Sequence, residues 1–284
     1  DVAGIVSAFS RMETRSGSTL RDGALFLMLS SHVKTMNTTD LTKDPRALAS
    51  IVNAFARAGV WDEALFRHMS RVARMTEPKA LSVNDCAALV GAFSKAQTRA
   101  GARLRDGALF RRLSLTVQAK EPSAFTPRAV SNILSSFARA GVWDRVLFKR
   151  ITRIALNLTD GEERIPFRGF KAQELASMAW AVAKAFGSNH KEVAWVCMSG
   201  GHNITQSFFS VVADEVRRRG WSEFKNREAA TLLWALGTTN EPCAGTFEEA
   251  RRDLEGRDLS RLNQVDIANI AWAFASARHA APDL

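Results

Sequence analysis

The chain has 284 residues, 46% hydrophobic and 24% charged, the balance of a globular protein with material for a substantial core. Its 39 Lys and Arg stand against 29 Asp and Glu, a net +10, which points to a polyanionic partner, most often nucleic acid. No apolar run reaches the roughly 20 residues of a membrane span, and the three dispersed cysteines (Cys86, Cys197, Cys243) have neither metal-ligand nor disulfide-framework spacing. Reduced, buried thiols are expected, with no metal and no cofactor. The opening DVAGIVSAFS reads as neither a signal nor a transit peptide.

Two strings recur. FARAGVWD occupies Phe55–Asp62 and again Phe137–Asp144, and LRDGALF occupies Leu20–Phe26 and again Leu104–Phe110. The two spacings, 82 and 84 residues, nearly agree, so the elements are expected as copies of one unit. Seven segments align on a large apolar anchor: Phe9, Phe55, Phe93, Phe137, Val182, Leu236 and Phe274. Successive anchors lie 46, 38, 44, 45, 54 and 38 residues apart, the range of two-helix solenoid repeats.

In chain order, repeat one is a helix around Phe9, a charged insertion (Met12–Gly23) and a second helix, ALFLMLSSHVKTM, behind Asp22. Repeat two starts at Asp44–Pro45, turns at Gly59 and resumes behind Asp62 with ALFRHMSRVARM. Repeat three starts at Ser82, carries AQTRAGARLRDG (Ala96–Gly107) as a charged loop and resumes behind Asp106 with ALFRRLSLTVQA. Repeat four starts at Thr126–Pro127, turns at Gly141 and resumes behind Asp144 with VLFKRITRIAL. Repeats five to seven give first helices around Val182, Leu236 and Phe274, with Asn226 and Asn263 near two of the starts and SFFSVVADEVRRR as the second helix of repeat five. The physical grounds are common to all. Asp, Ser, Thr and Asn side chains accept orphan N–H groups at a helix start, and Pro fits the first helical position. Gly supplies the left-handed residue that ends a helix.

Along each first helix, positions −7, −4, −3 and 0 from the anchor are apolar, as in Leu48/Ile51/Val52/Phe55 and Ile267/Ile270/Ala271/Phe274, which places them on one buried stripe. Position −1 is almost always Ala (Ala8, Ala54, Ala92, Ala181, Ala235, Ala273), so neighbouring helices can approach closely. The expected fold is all-α: an α-solenoid of about seven helix–turn–helix repeats in a right-handed superhelix. Repeats one to four, two copies of a double repeat, would fill residues 1–157, and repeats five to seven residues 158–284 of the same array.

Positions −9, −5, −2 and +2 share the other face of the first helix. Position +2 reads Arg11, Arg57, Lys95, Arg139 and Lys184 in five consecutive repeats, and position −9 includes Arg46, Arg128 and Arg227. Position −5 offers small, mostly hydrogen-bonding residues, among them Asn132 and Asn269. The helix macrodipole favours cations near a C-terminus and accounts for +2 on stability alone, but it opposes arginines at −9. The other reading is a ladder of cations for phosphates beside donors and acceptors for splayed-out bases. Arg99, Arg103 and Arg105 of the repeat-three insertion are expected on the same edge. Trp180, Trp234 and Trp272 occupy −2 in repeats five to seven, as groove fillers or as stacking platforms for bases. Arg217–Arg219 read as a helix-end cluster. No nucleotide-binding glycine motif, metal-binding histidine spacing or nucleophile elbow occurs, so an enzyme is not expected.

The helices VDIANIAWAFASAR (Val265–Arg278), ELASMAWAVAKA (Glu174–Ala185) and AATLLWALGT (Ala229–Thr238) resemble those of octotricopeptide- and heptatricopeptide-type repeat proteins and the related RAP-domain proteins. The resemblance implies a nuclear-encoded protein of the mitochondrial matrix, or alternatively of the chloroplast, that binds organellar RNA through its first-helix rows. The role expected from it is a component of, or a factor bound to, a mitochondrial ribosome that contacts rRNA without catalysis, among neighbouring proteins of a ribonucleoprotein. The alternatives are a protein–protein scaffold subunit of an organellar complex and, more distantly, a transcript stability or processing factor. No small-molecule substrate is implied.

Overall fold

The computed structural model describes residues 3–8, 23–101, 104–157, 166–167, 169–187, 207–239, 244–260 and 262–277. Every regular element among them is helical, and the helices pack on their neighbours in a repeat-like order. The first, α1, covers residues 3–8, followed by α2 (Gly23–Thr35), α3 (Thr38–Lys43), α4 (Pro45–Ala58), α5 (Glu63–Met75), α6 (Val83–Ala100) and α7 (Gly107–Gln118). Then come α8 (Pro127–Ala140), α9 (Arg145–Asn157), α10 (Ala172–Phe186), α11 (Phe208–Arg219), α12 (Asn226–Thr239), α13 (Ala244–Glu255) and α14 (Gln264–Ser276). Two compact units divide the chain. Unit 1 is Asp1–Phe125 with Arg139–Leu147, and unit 2 is Thr126–Ala138 with Phe148–Leu284. The anchor Phe9, Asp22, Cys197, Cys243, Arg11 and Arg103 lie outside the described residues.

The start and stop signals act as their chemistry requires. Asp44 caps α4 through the Ala47 N–H, Ser82 and Asp85 form a reciprocal capping box on α6, and Asn263 caps α14. Asp62, Asp106 and Asp144 accept the N–H groups of Leu65, Leu109 and Leu147 at the starts of second helices. Gly59 (φ 71°) and Gly141 (φ 66°) hold the left-handed residue of the two FARAGVWD corners.

The core is the predicted stripe. Phe55, Phe93, Phe137, Val182, Leu236 and Phe274 are all buried, as are the −1 alanines Ala54, Ala92, Ala181, Ala235 and Ala273. In two repeats of unit 1 the Phe of the second-helix Leu-Phe pair stands edge-on to the next repeat's anchor. In unit 1 the pairs are Phe26–Phe55 and Phe66–Phe93, each with ring centroids 5.5 Å apart. In unit 2 the pair Phe247–Phe274 stands at 5.6 Å. Where the anchor is Val182, Phe186 one turn later takes this place against Phe148. Such edge-to-face pairs contribute about 0.5–1.5 kcal/mol beyond their buried area.

Two devices tie the helices together besides packing. In unit 1, Ser30, Ser70 and Ser114 of the second helices donate their hydroxyls to Asp62, Asp106 and Asp144, the caps of the next repeat's second helix. In unit 2, Arg219 donates to the carbonyls of Phe167 and Phe170, and Arg257 to those of Trp221 and Phe224. Each arginine thereby holds the aromatic-x-x-aromatic turn that leads into its own repeat's first helix.

As a helix–turn–helix repeat requires, repeat six has a second helix, α13, whose Phe247 plays the part of the Leu-Phe pair. Two expectations are corrected. Ala96–Ala100 is not loop but the end of α6, because AQTRA has no breaker before Gly101. In α14, Ile270 and Phe274 are buried, but Ile267 is 52% exposed and Ala271 is exposed, so only part of the predicted stripe packs.

Candidate nucleic-acid interface

The face of each first helix that does not pack carries the polar rows. In unit 1, Arg46, Arg57, Asn84 and Lys95 are exposed, with Ser50, Asn53, Ala88 and Gly91 half-buried between them. In unit 2, Arg128, Asn132, Gln173, Lys184 and Arg227 are exposed, and Ser177, Thr231 and Asn269 are half-buried. These positions stay open because the 3.6-residue period turns them away from the buried stripe.

Within unit 1 the +2 row closes into one cluster. Burial of its stem lowers the pKa of Lys95, and the like charges of Arg139 and Arg57 lower it further, which places all three cations within electrostatic reach. Burial also lowers the pKa of Arg139, whose guanidinium donates a long 3.5 Å hydrogen bond to the Ser94 hydroxyl. The three residues are nonetheless exposed at the surface, as expected of long side chains that lay apolar stems on the helices and keep their charged ends in water. None of the three has an acidic partner among the described residues.

The dipole account fails at the middle of this cluster. Arg57 and Arg139 lie in the last turns of α4 and α8, where a cation is favoured. Lys95 does not, because α6 runs on to Ala100 and only Arg99 lies in its last turn. A lysine five residues inside a helix, facing two arginines, gains nothing from the dipole and pays like-charge repulsion.

Unit 2 presents a different surface at the same positions. Lys184 is exposed, but +2 then reads Thr238 and Ser276. Trp180 and Trp234 are half-buried at −2, while Trp272 is 44% exposed, and the Trp234 and Trp272 rings lie 6.1 Å apart, tilted by 34°. Arg217–Arg219 are absorbed structurally. Arg217 pairs with Glu249 and Arg218 with Glu215, and Arg219, its side chain 7% exposed, pairs with the buried Glu215.

The repeat-three arginines part company. Arg99 is exposed on the last turn of α6, whereas Arg105 lines a cavity with Arg67, Arg71 and Arg74 of α5. The sequence points to Arg105 but not to this cavity, because Arg67, Arg71 and Arg74 stand on a second helix, outside the first-helix rows. The serine–aspartate links were missed likewise, although their signal, a Ser four residues after the Phe of the Leu-Phe pair, stands at Ser30, Ser70 and Ser114. Cys86 is buried, and that burial pushes its thiol up to about 12, so it stays protonated and inert. Among the described residues no group of His, Cys, Asp and Glu is placed to hold a metal ion, and no helix is long and apolar enough to cross a membrane.

No curated protein matches the chain. The profile of the RNA-editing substrate-binding complex 6 protein family matches residues 1–161, a stretch that holds the whole Arg57–Lys95–Arg139 cluster. The tryptophan-bearing helices of repeats five to seven lie beyond the match, and the octotricopeptide type of repeat is not what it identifies. With more than half of its length matched, the chain belongs to the RNA-editing substrate-binding complex 6 protein family.

Proposed function

We propose that the protein is a non-catalytic helical-repeat subunit of a mitochondrial RNA-editing substrate-binding complex, a scaffold that also holds RNA by its phosphates. The family match supports the scaffold role and favours it over the ribosomal one. One observation carries the RNA contact: Arg57, Lys95 and Arg139 converge without an acidic partner among the described residues, at a cost in repulsion that a polyanion relieves. Arg46 and Arg99 add phosphate contacts in unit 1, and Arg128 and Arg227 do so in unit 2, where Asn132 and Asn269 reach bases. The division into residues 1–157 and 158–284 belongs to the same proposal.

The test is RNA affinity as a function of salt. Each phosphate contact on a single strand contributes a slope of about −0.7 in log affinity against log salt. Arg57→Glu combined with Arg139→Glu should lower affinity for a uridine oligonucleotide by at least about tenfold and flatten the slope by about 1.4, two contacts' worth, with helicity unchanged. A double variant that binds with wild-type affinity and slope removes the row from the interface.

A further inference from the structure

Unit 1 contains a cavity of about 490 Å³ between α5 and the segment that leads into α7. Arg67, Arg71, Arg74 and Arg105 line it, and Phe66 and Phe93 form part of its apolar wall. The first three arginines are four and three residues apart, so one face of α5 presents them together, and Arg105 approaches from the other side. Among the described residues, little consumes this charge. Arg71, Arg74 and Arg105 have no ion pair among the described residues, and all three are exposed. Arg67 pairs only with Glu63, both 43% or more exposed, a surface contact that a better anion displaces easily. Asp106, the acid in the lining, is already engaged by the Ser70 hydroxyl and the Leu109 N–H.

The geometry points to a binding site for a phosphate-bearing nucleotide, separate from the first-helix row and independent of it. All four cations are arginines, whose planar forks match phosphate oxygens in pairs. Three unpaired guanidinia around one concave space suit several negative charges on one small group. A peptide's carboxylates, spread along a chain, suit it less. The volume falls in the range of roughly 300–1,000 Å³ typical of small-ligand sites, and the apolar side of the lining, Ala64, Phe66, Phe93 and Leu104, suits a base or ribose while the arginines take the phosphates.

Calorimetric titration of the full chain with pyrophosphate, uridine diphosphate and a uridine oligonucleotide tests this, using wild type, Arg71→Ala/Arg105→Ala and Arg57→Glu/Arg139→Glu. Uridine diphosphate is expected to fill this one site, and the oligonucleotide to fill it besides the first-helix row, with Kd at this site raised at least about tenfold in the Arg71/Arg105 variant, the worth of one charge-assisted hydrogen bond. The Arg57/Arg139 variant should keep this site, so loss of one site leaves the other readable. Binding of free uridine diphosphate assigns the site to a mononucleotide. Binding of the oligonucleotide alone, still lost in the Arg71/Arg105 variant, assigns it to a nucleotide within a strand. The proposal is overturned if neither ligand binds this site, if a normally helical Arg71/Arg105 variant binds as wild type does, or if a polyglutamate peptide occupies the site more tightly than all three phosphate probes.

Discussion

The Asp62 carboxylate accepts the Leu65 N–H with one oxygen and the Ser30 hydroxyl and Lys34 ammonium with the other. Burial alone would raise its pKa, but the hydrogen bonds from Ser30 and Leu65 and the ion pair with Lys34 outweigh it and bring it from 3.8 to about 2. Because the folded-state value is the depressed one, the contribution is complete above the unfolded value and is lost as pH falls through about 2. The side chain is only 14% exposed, so solvent screens the effect little. Asp62→Asn should destabilise the fold by about 2 kcal/mol at neutral pH. Denaturant unfolding at pH 7 and near pH 2 checks this: the gap between variant and wild type should narrow in acid, where Asp62 itself becomes neutral, and a gap independent of pH contradicts the assignment.

At the scale of elements, the close approach of first helices depends on small residues at the crossing. A Cβ on Gly237 of α12 would lie 3.1 Å from the Cα and 3.2 Å from the carbonyl oxygen of Ala273 in α14, backbone atoms that a side-chain rotation cannot move away. Gly→Ala inside an exposed helix ordinarily stabilises by about 1 kcal/mol. Here the overpacking cost of about 1–3 kcal/mol should win, so Gly237→Ala should lower the unfolding midpoint, and a raised midpoint contradicts the tight crossing. The sequence announced this contact only in part. The −1 alanines were visible as a row of small residues, but Gly237 stands one place after the anchor, where no repeated pattern marks it. Helix starts, corners and the buried stripe were legible because each follows from residue chemistry within one turn of helix. The serine–aspartate links and the arginine clamps on aromatic turns were not, because their partners are 30 to 52 residues apart and only the fold brings them together.

At the scale of the whole molecule, the net charge of +10 is divided by role. Arg219 and Arg257 are structural, held by carbonyls and, for Arg219, by the buried Glu215, whereas Arg57, Lys95 and Arg139 form an exposed group that no neighbouring acid neutralises among the described residues. Composition alone could announce a polyanionic partner but not say which cations are spare. Alignment of the repeats did that for the +2 row and missed the arginines of α5, whose full set of three occurs in one repeat only, although Arg67 recurs as Arg111 and Lys149 and Arg71 as Arg153. Ultraviolet cross-linking of the full chain to a uridine oligonucleotide, with the adducts mapped by peptide mass spectrometry, tests the central claim most directly. The account predicts adducts on the first-helix segments 46–57, 84–99 and 128–139, reduced in the Arg57→Glu/Arg139→Glu variant. Adducts that spare all three segments would contradict it.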